Sequence, residues 1–217
     1  MNNRHNLIQS LIDKRGYKRY LEIGAGTGLL FKKINIEHKD GVDPGIDDKW
    51  ISNDEAKSGV IYGHIGYSMT SNEFFKNYAP NKDKYDIIFI DGLHESNQVD
   101  LDIKNSLMYL NEGGCIVIHD CNPIDEIAQI VPRIRQFQWN GDVWKSIVKY
   151  RKSNPDLNLI SVELPNDADV SVISKGLPKG ENIDIPEELT YVWLEANREK
   201  ALNWYNVNEA KTILNIN

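Results

Sequence analysis

Residues 20–31 have the sequence YLEIGAGTGLLF. The apolar residues before Gly24 indicate a β-strand, and those after Gly28 begin a helical pattern. Between them, Gly24, Gly26 and Gly28 form a turn in which the main chain can pass close to a ligand and the N–H groups at a helix start can face it. The stretch therefore predicts a strand, a glycine turn and a helix, with a tight turn that binds nothing as the alternative.

The same alternation of strands and helices continues along the chain. Residues 85–90 are a nearly continuous apolar run, which is typical of a strand buried on both faces of a parallel sheet. Periodicity predicts the remaining elements, which are helices at about 4–15, 72–78, 97–110, 125–137, 142–152 and 187–205 and strands ending near 42 and at about 59–64, 115–118, 158–164 and 169–174. This order predicts an α/β fold, a doubly wound, Rossmann-like, mostly parallel sheet of seven strands with an antiparallel edge hairpin. We expect one domain at 1–176 and a C-terminal loop and helix at 177–217 packed on it.

Composition and charge limit the classes of partner. The chain has 25 Lys and Arg against 32 Asp and Glu, a net charge of −7, which makes nucleic acids and anionic membranes poor candidates. The first residues lack the apolar stretch of a secretory leader, and no run of 18 apolar residues occurs, so we expect neither export nor membrane insertion. Its only cysteines, Cys115 and Cys121, lack metal or redox spacing and favour a cytoplasmic protein. A monomer and a homo-oligomer both remain open.

Two acidic residues accompany the glycine turn. Glu22 lies at the end of the first strand, and Asp43 ends the second strand 19 residues after Gly24. That is about the distance at which an acidic residue meets the ribose hydroxyls in a nucleotide-binding half. A carboxylate accepts hydrogen bonds from both hydroxyls of a cis-diol, so Asp43 is the expected ribose ligand, with a turn residue before Pro44 as the alternative.

Several segments together resemble successive signatures of class I S-adenosylmethionine-dependent methyltransferases across roughly residues 17–175. These segments are EIGAGTG at 22–28, GVD at 41–43, YDIIFID at 85–91 and NEGG at 111–114. The resemblance implies S-adenosylmethionine as cofactor, with the glycine turn at its methionine part, Asp43 at its ribose and residues after the third strand at its adenine. The cofactor residues implied in this way are Glu22, Gly24, Gly26, Thr27, Gly28, Asp43, Ile65, Gly66, Ser68 and Asp91.

A more specific resemblance involves DGLH at 91–94 and VIHDCNP at 117–123. These segments are similar to the branch that includes macrocin O-methyltransferase and the cephalosporin-hydroxylase-like proteins, many of which act on sugars or secondary metabolites. It implies O-methylation of a hydroxyl on a sugar or small metabolite. It also implies a magnesium ion held by acidic residues after the fourth and fifth strands, here Asp91 and Asp120, with Asn122 as a further candidate ligand and Cys121 a poor one.

Physical chemistry independently favours a cation at this place. Asp91 and Asp120 follow adjacent strands, and two carboxylates brought together repel each other unless a proton or a cation lies between them. Hard oxygen ligands suit Mg²⁺, although the nearby histidines leave iron or manganese open. His94 and His119 are the candidate general bases, because a neutral imidazole can take a hydroxyl proton near pH 7. A structural, hydrogen-bonded histidine is the alternative for each.

The sequence therefore predicts a methyltransferase whose catalytic residues are His94, His119, Asp91 and Asp120. Two other classes remain at this stage. One is an NAD-type oxidoreductase that uses the same glycine turn, although such enzymes more usually have a GxGxxG motif. The other is a non-catalytic relative that keeps the fold and the cofactor site, because a fold alone does not establish a function.

Overall fold

The structure is a computed structural model that describes residues 1–45, 64–134, 137–154 and 158–216. Its described strands form one sheet of eight in the order β3-β2-β1-β4-β5-β7-β6-β8. The strands are β1 Arg19–Ile23, β2 His38–Val42, β3 His64–Tyr67, β4 Tyr85–Ile90, β5 Leu110–Ile118, β6 Leu159–Val162, β7 Val170–Ser174 and β8 Trp204–Tyr205. The α/β class and the mostly parallel sheet are confirmed, while the predicted count of seven strands is corrected to eight.

Seven described α-helices cover the two faces of this sheet. They are α1 Arg4–Arg15, α2 Leu29–Lys33, α3 Ser71–Asn77, α4 Ser96–Met108, α5 Val143–Ser153, α6 Tyr191–Leu202 and α7 Val207–Leu214. Side chains that alternate along the strands feed two separate apolar clusters, because successive residues of a strand point to opposite faces. In β4, for example, Ile88 and Ile90 belong to one cluster, whereas Ile87 and Phe89 belong to the other.

The antiparallel hairpin is confirmed, but its place at the edge is wrong. Strand β6 pairs antiparallel with β7, and β7 pairs antiparallel with β5. Strand β8 then pairs with β6 in parallel and covers it. The sequence pattern did not indicate β8, because the apolar residues of 187–205 fit a single helix. That helix ends at Leu202, where Asn203 adopts a left-handed conformation (φ 50°) and donates a hydrogen bond from its side chain to the Leu159 carbonyl at 2.7 Å.

One further prediction concerns a helix and one concerns a strand. The helix expected at 125–137 is wrong, since the described part of that stretch contains only a 3-10 turn at Ile127–Gln129. Pro132 has no N–H to donate, and its ring opposes a continuous helix. Helix α7 after β8 was not predicted. The strand expected at 59–64 lies outside the described residues except for His64, which begins β3.

The topology brings one group of strand ends together. Strands β1, β2, β4 and β5 are parallel, so their carboxyl ends share one edge of the sheet. The turn between β6 and β7 lies at the same edge because β7 runs opposite to β5. Ligands of open α/β sheets bind outside this edge. The candidate site residues described below follow these strands or pack against their carboxyl ends. In the described ranges, no helix combines the length and apolarity that crossing a membrane requires.

Candidate functional site

The glycine turn after β1 lies directly against the end of β4. Gly24 has φ of +82°, and a Cβ placed on it would lie 2.0 Å from the main-chain oxygen of Asp91. The Gly24 N–H donates to the Val42 carbonyl at 2.8 Å, which fixes the turn between β2 and β4. Gly26 and Gly28 also have positive φ, and Gly28 begins α2. Only glycine fits at position 24, since any side chain would enter the neighbouring main chain.

Asp43 lies beside this turn, as the sequence predicts. Its carboxylate accepts hydrogen bonds from Gly26 N–H at 3.0 Å and from Gly45 N–H at 2.7 Å. It borders a cavity of about 270 Å³, which we call the donor cavity. The walls of the donor cavity are Ile23, Gly24, Val42, Asp43, Pro44, Thr70, Ser71, Asn72, Gly92, Leu93, Gln98 and Asp102.

The residues predicted to contact the adenine are not among the lining residues of the donor cavity. Ile65 and Gly66 lie within β3, where Gly66 pairs with Gly41, and Ser68 follows the strand, donating to the Pro44 carbonyl at 3.4 Å. The wall of the donor cavity begins two residues later, at Thr70. Sequence reasoning missed this first turn of α3. The signal was the TSNE sequence at 70–73, a capping box in which Thr70 and Glu73 exchange hydrogen bonds.

Five other predicted cofactor residues are also not among the lining residues of the donor cavity, namely Glu22, Gly26, Thr27, Gly28 and Asp91. Thr27 is exposed on the glycine turn. The buried Glu22 side chain accepts a hydrogen bond from the Tyr20 hydroxyl at 2.6 Å. Burial raises the pKa of Glu22 to about 8, and the Tyr20 hydrogen bond only partly opposes this effect. Glu22 therefore lies behind the glycine turn.

The predicted catalytic residues do come together. Asp91 and His94 follow β4, and Asp120 follows β5. Each of these three offers a ligand atom within 4.8 Å of the others, which is suitable for a metal ion. Nε2 of His94 lies 3.3 Å from Asp91 Oδ1, and its Nδ1 lies 3.4 Å from Asp120 Oδ2. That Nδ1 is buried and has no hydrogen-bond partner among the described residues. We call Asp91, His94 and Asp120 the acidic centre.

His119 is packed behind the acidic centre with both ring nitrogens engaged. Its Nδ1 lies 2.8 Å from Asp120 Oδ2 and 3.1 Å from Asp91 Oδ1, and its Nε2 lies 3.1 Å from Asp167 Oδ1. Burial alone would lower the pKa of His119, but the surrounding carboxylates outweigh it and hold the pKa well above its ordinary value. Burial likewise opposes ionisation of Asp91, yet His119, His94 and Arg4 keep its pKa well below the usual range.

Arg4 and Asp167 belong to this network, and no sequence pattern marked either of them. The Arg4 main-chain N–H donates to Asp167 Oδ2 at 3.1 Å, and its guanidinium lies 3.4 Å from Asp91 Oδ2, against the His119 ring. These residues come from α1 and from the β6–β7 turn, which are far apart in the chain. Only the fold brings them to the end of β4.

The backbone around Asp120 and His94 is tightly constrained. Asp120 has φ of +59°, and its Oδ1 accepts a hydrogen bond from the buried Asn140 side chain at 2.7 Å. A Cβ on Gly141 would lie 1.8 Å from the His94 carbonyl oxygen, and the Trp139 ring stacks on the His94 ring at 5.1 Å. The 139–141 segment therefore holds His94 and Asp120 of the acidic centre in place.

Asn122 is not brought to the acidic centre. Its side-chain oxygen accepts a hydrogen bond from the Arg198 guanidinium, and its amide group donates to Asp169 Oδ2 at 2.7 Å. Both ends of the amide are thus engaged on the side of α6. Asn122 instead lines a second cavity of about 350 Å³, which we call the acceptor cavity. Its lining residues are Asn122, Pro123, Ile124, Asn140, Asp167, Ala168, Asp169, Tyr191, Glu195 and Arg198.

Comparisons with known proteins agree with this architecture. The model of a family described as a methyltransferase domain matches residues 21–121. No curated protein sequence matches the chain significantly.

Solved structures with the same fold include three methyltransferases at low sequence identity. One is an O-methyltransferase from Bacillus cereus in complex with SAH (14% identity, 79% of this chain and 80% of that chain, TM-score 0.56). Another is the SAH-bound methyltransferase PaMTH1 from Podospora anserina (15%, 79% and 77%, 0.58). The third is the O-methyltransferase TomG from Streptomyces achromogenes, in complex with SAM (14%, 80% and 80%, 0.55).

The sheet order supports the same assignment from the topology alone. The classic dinucleotide-binding fold has six strands in the order 3-2-1-4-5-6. Here β7 lies antiparallel between β5 and β6. Residues 21–121 thus match a methyltransferase domain, and the sheet of the whole chain has the fold of the solved methyltransferases.

Proposed function

We propose that this protein transfers a methyl group from S-adenosylmethionine to a hydroxyl oxygen of a sugar or small metabolite, with a divalent metal ion at the acidic centre. The observation that carries the proposal is the position of the acidic centre between two cavities. Gly92, which lines the donor cavity, directly follows Asp91. Asn140, which lines the acceptor cavity, is hydrogen-bonded to Asp120. A methyl donor and an acceptor in these cavities would approach each other at the acidic centre.

The donor cavity fits S-adenosylmethionine in its chemistry. The Asp43 carboxylate borders the cavity and provides acceptors for a ribose cis-diol. Gly24 in the glycine turn also lines the cavity, and because it has no side chain a ligand can approach its main chain closely. S-adenosylmethionine, when bound, supplies a methyl group on a positively charged sulfur, and its leaving group needs no acid. The protein therefore has to position the two substrates and receive the hydroxyl proton.

The acceptor cavity favours a polar, hydroxyl-bearing ligand. Asp167, Asp169 and Glu195 contribute acceptor oxygens, and Tyr191 and Ile124 contribute apolar surface. Among the described lining residues, Arg198 is the one cation, and its guanidinium already donates to Asn122, to the Pro123 carbonyl and to the Tyr191 hydroxyl. Carboxylates therefore outnumber cations among the described lining residues, and carboxylate oxygens accept hydrogen bonds from the O–H groups of a sugar.

The two histidines have separate roles in this proposal. His94 is the general base, because its Nδ1 is without a hydrogen bond at the acidic centre between the two cavities. His119 is a positioning residue, because its nitrogens face the carboxylates of Asp91, Asp120 and Asp167 and are not free to take a proton from substrate. Arg4 supports the same network from α1.

The donor set of the acidic centre fits a divalent cation. Asp91 and Asp120 offer hard carboxylate oxygens of the type that Mg²⁺ prefers, and their close approach is otherwise balanced only by neighbouring cationic side chains. A cation held by Asp91 and Asp120 would lower the pKa of the acceptor hydroxyl and fix its oxygen. Asn122 is a poor candidate ligand, since both ends of its amide are engaged elsewhere. We also propose a cytoplasmic location, on the ground that Cys115 and Cys121 are both buried and unpaired.

The cofactor assignment is tested by titration calorimetry of S-adenosylhomocysteine into the metal-stripped protein. We expect saturable 1:1 binding, and a loss of about 2 kcal/mol, roughly thirtyfold in affinity, in Asp43→Ala, because the ribose hydroxyls lose a charged acceptor. Asp83→Ala, at a side chain that is 86% exposed, is the matched control and should bind as the wild type does. NAD should not bind. Failure of the wild type to bind S-adenosylhomocysteine, or binding of NAD instead, would contradict the proposal.

The metal assignment has its own measurement. Mn²⁺, followed by electron paramagnetic resonance as a substitute for Mg²⁺, should bind one site per chain. Asp120→Asn should weaken that binding by roughly thirtyfold, because a carboxylate ligand becomes a neutral amide. Asp169→Asn is the control, since Asp169 lines the acceptor cavity but lies outside the acidic centre. Equal weakening by both substitutions would argue against a metal at the acidic centre.

A further inference from the structure

Arg4 brings a permanent positive charge to the acidic centre from the amino end of α1. Its guanidinium lies 3.4 Å from Asp91 Oδ2 and 3.6 Å from Asp167 Oδ1, and its side chain is 32% exposed. The other described ion pairs of Asp91 are with the imidazoles of His94 and His119, whose charge depends on pH. An arginine keeps its proton in proteins. Among the described residues, Arg4 is therefore the fixed counter-charge of Asp91.

The two oxygens of Asp91 face different neighbours. Oδ1 lies 3.3 Å from His94 Nε2 and 3.1 Å from His119 Nδ1, whereas Oδ2 faces the Arg4 guanidinium. A metal ion held by Asp91 is therefore bound by a carboxylate whose negative charge is already shared with an arginine. Two positive charges on one carboxylate lie within a few ångströms of each other, and their repulsion is strong where little water separates them.

The fold holds α1 in place by contacts that do not use the charge of Arg4. The main-chain N–H of Arg4 donates to Asp167 Oδ2 at 3.1 Å, and the Asn3 side chain caps the helix by accepting a hydrogen bond from the Asn6 N–H at 2.9 Å. Four buried apolar side chains anchor the inner face of the helix, namely Leu7, Ile8, Leu11 and Ile12. A neutral side chain at position 4 is therefore compatible with a folded protein.

We propose that Arg4 and the divalent cation share Asp91, so that the guanidinium weakens metal binding at the acidic centre. This inference rests on the proposed function, in which Asp91 and Asp120 hold the metal ion. The effect is reciprocal by linkage, because a cation at Asp91 weakens the hold of that carboxylate on Arg4 by the same factor. The amino end of α1 thereby sets the affinity of the metal site.

The test is the Mn²⁺ affinity of the wild type, Arg4→Gln, Arg4→Lys and Lys14→Gln, measured by electron paramagnetic resonance. Lys14 is the matched control, because it is exposed on the same helix and its replacement removes the same charge from the chain. We expect Arg4→Gln to bind Mn²⁺ about tenfold more tightly than the wild type, since a repelling charge is lost. Arg4→Lys keeps the charge, and it should stay within about threefold of the wild type, as should Lys14→Gln.

Thermal unfolding with and without Mn²⁺ gives a second readout. In metal-free buffer, Arg4→Gln should unfold at a lower temperature than the wild type, because Asp91 and Asp167 lose a counter-charge. At the same Mn²⁺ concentration, the midpoint of Arg4→Gln should rise by more than that of the wild type, because stabilisation by a ligand grows with its affinity. A side chain that only braced the site would give the opposite sign in both measurements of Mn²⁺.

The outcomes separate this inference from the proposed metal site. Binding of Mn²⁺ to the wild type, with equal or weaker binding to Arg4→Gln, would overturn only the role of Arg4. Arg4→Met is a second neutral variant, and failure of both neutral variants to fold even with Mn²⁺ would also overturn it, because the charge would then be needed to hold α1. Absence of Mn²⁺ binding to the wild type and to every variant would overturn the metal site and this inference together.

Discussion

Replacing Gly24 by alanine is expected to lower the free energy of unfolding by about 4 kcal/mol and to abolish cofactor binding. The new methyl group would lie 2.0 Å from the Asp91 carbonyl oxygen, and φ at this position is +82°, so steric overlap adds to the cost of a left-handed conformation. Relief of the overlap requires the ends of β1 and β4 to separate. That movement would displace Asp91 and open the donor cavity. Urea unfolding and titration of S-adenosylhomocysteine measure the two effects.

Gly26→Ala is the matched control for this prediction. Gly26 belongs to the same turn and has φ of +52°, but a Cβ there meets no atom within 4 Å. Its alanine variant should lose only about 1 kcal/mol, the cost of the backbone conformation. The difference between the two variants isolates the contact between β1 and β4. If Gly24→Ala proved no less stable than Gly26→Ala, the close approach of the turn to Asp91 would be wrong.

Asp102→Asn is expected to make the protein more stable at pH 7 by up to about 3 kcal/mol. Burial raises the pKa of Asp102 from 3.8 in the unfolded chain to about 6. The folded protein therefore holds this proton more tightly than the unfolded chain does. Binding of this proton stabilises the folded protein fully below pH 4, and the stabilisation is lost as the pH rises through about 6. The difference of about two pKa units corresponds to about 3 kcal/mol.

The measurement is the free energy of unfolding of the wild type and the variant at several pH values between 4 and 7. The difference between them should grow across this window, because the neutral asparagine removes the titration of position 102. Asp100→Asn should follow the wild type, since Asp100 is largely accessible to water. A difference in the free energy of unfolding that is independent of pH would show that the fold does not raise the pKa of Asp102.

Local patterns were enough to predict the elements whose residues decide their own conformation. The apolar run 85–90 became β4 with the same bounds, and helix α5 begins and ends within one residue of the periodicity at 142–152. The prediction was wrong where local preference was ambiguous. Residues 187–205 fit one helix, but pairing with β6 draws Trp204 and Tyr205 into a strand. Pairing energy depends on a neighbour that is distant in the chain, so no local pattern reveals it.

The candidate site divides in the same way. Gly24, Asp43, Asp91 and Asp120 were predictable because each lies within two residues of the end of a strand, and the ends of parallel strands meet at one edge. Arg4, Asp167, Asn140 and the 70–72 turn were not, because they reach the site from helices and turns whose approach angles depend on packing. Asn122 illustrates the converse, since its amide is turned to Arg198 by the position of α6.

By itself, the sequence determined the α/β class, the glycine turn and the carboxylates at the strand ends, because strand periodicity and the conformational freedom of glycine are local properties. Only the tertiary structure decided the eighth strand, the engagement of His119 with three carboxylates and the burial of Asp102 beside the donor cavity. Each of these depends on contacts between residues far apart in the chain. Hydrogen bonding, desolvation and the resulting pKa shifts follow from those contacts, and the order of residues does not contain them until the chain is folded.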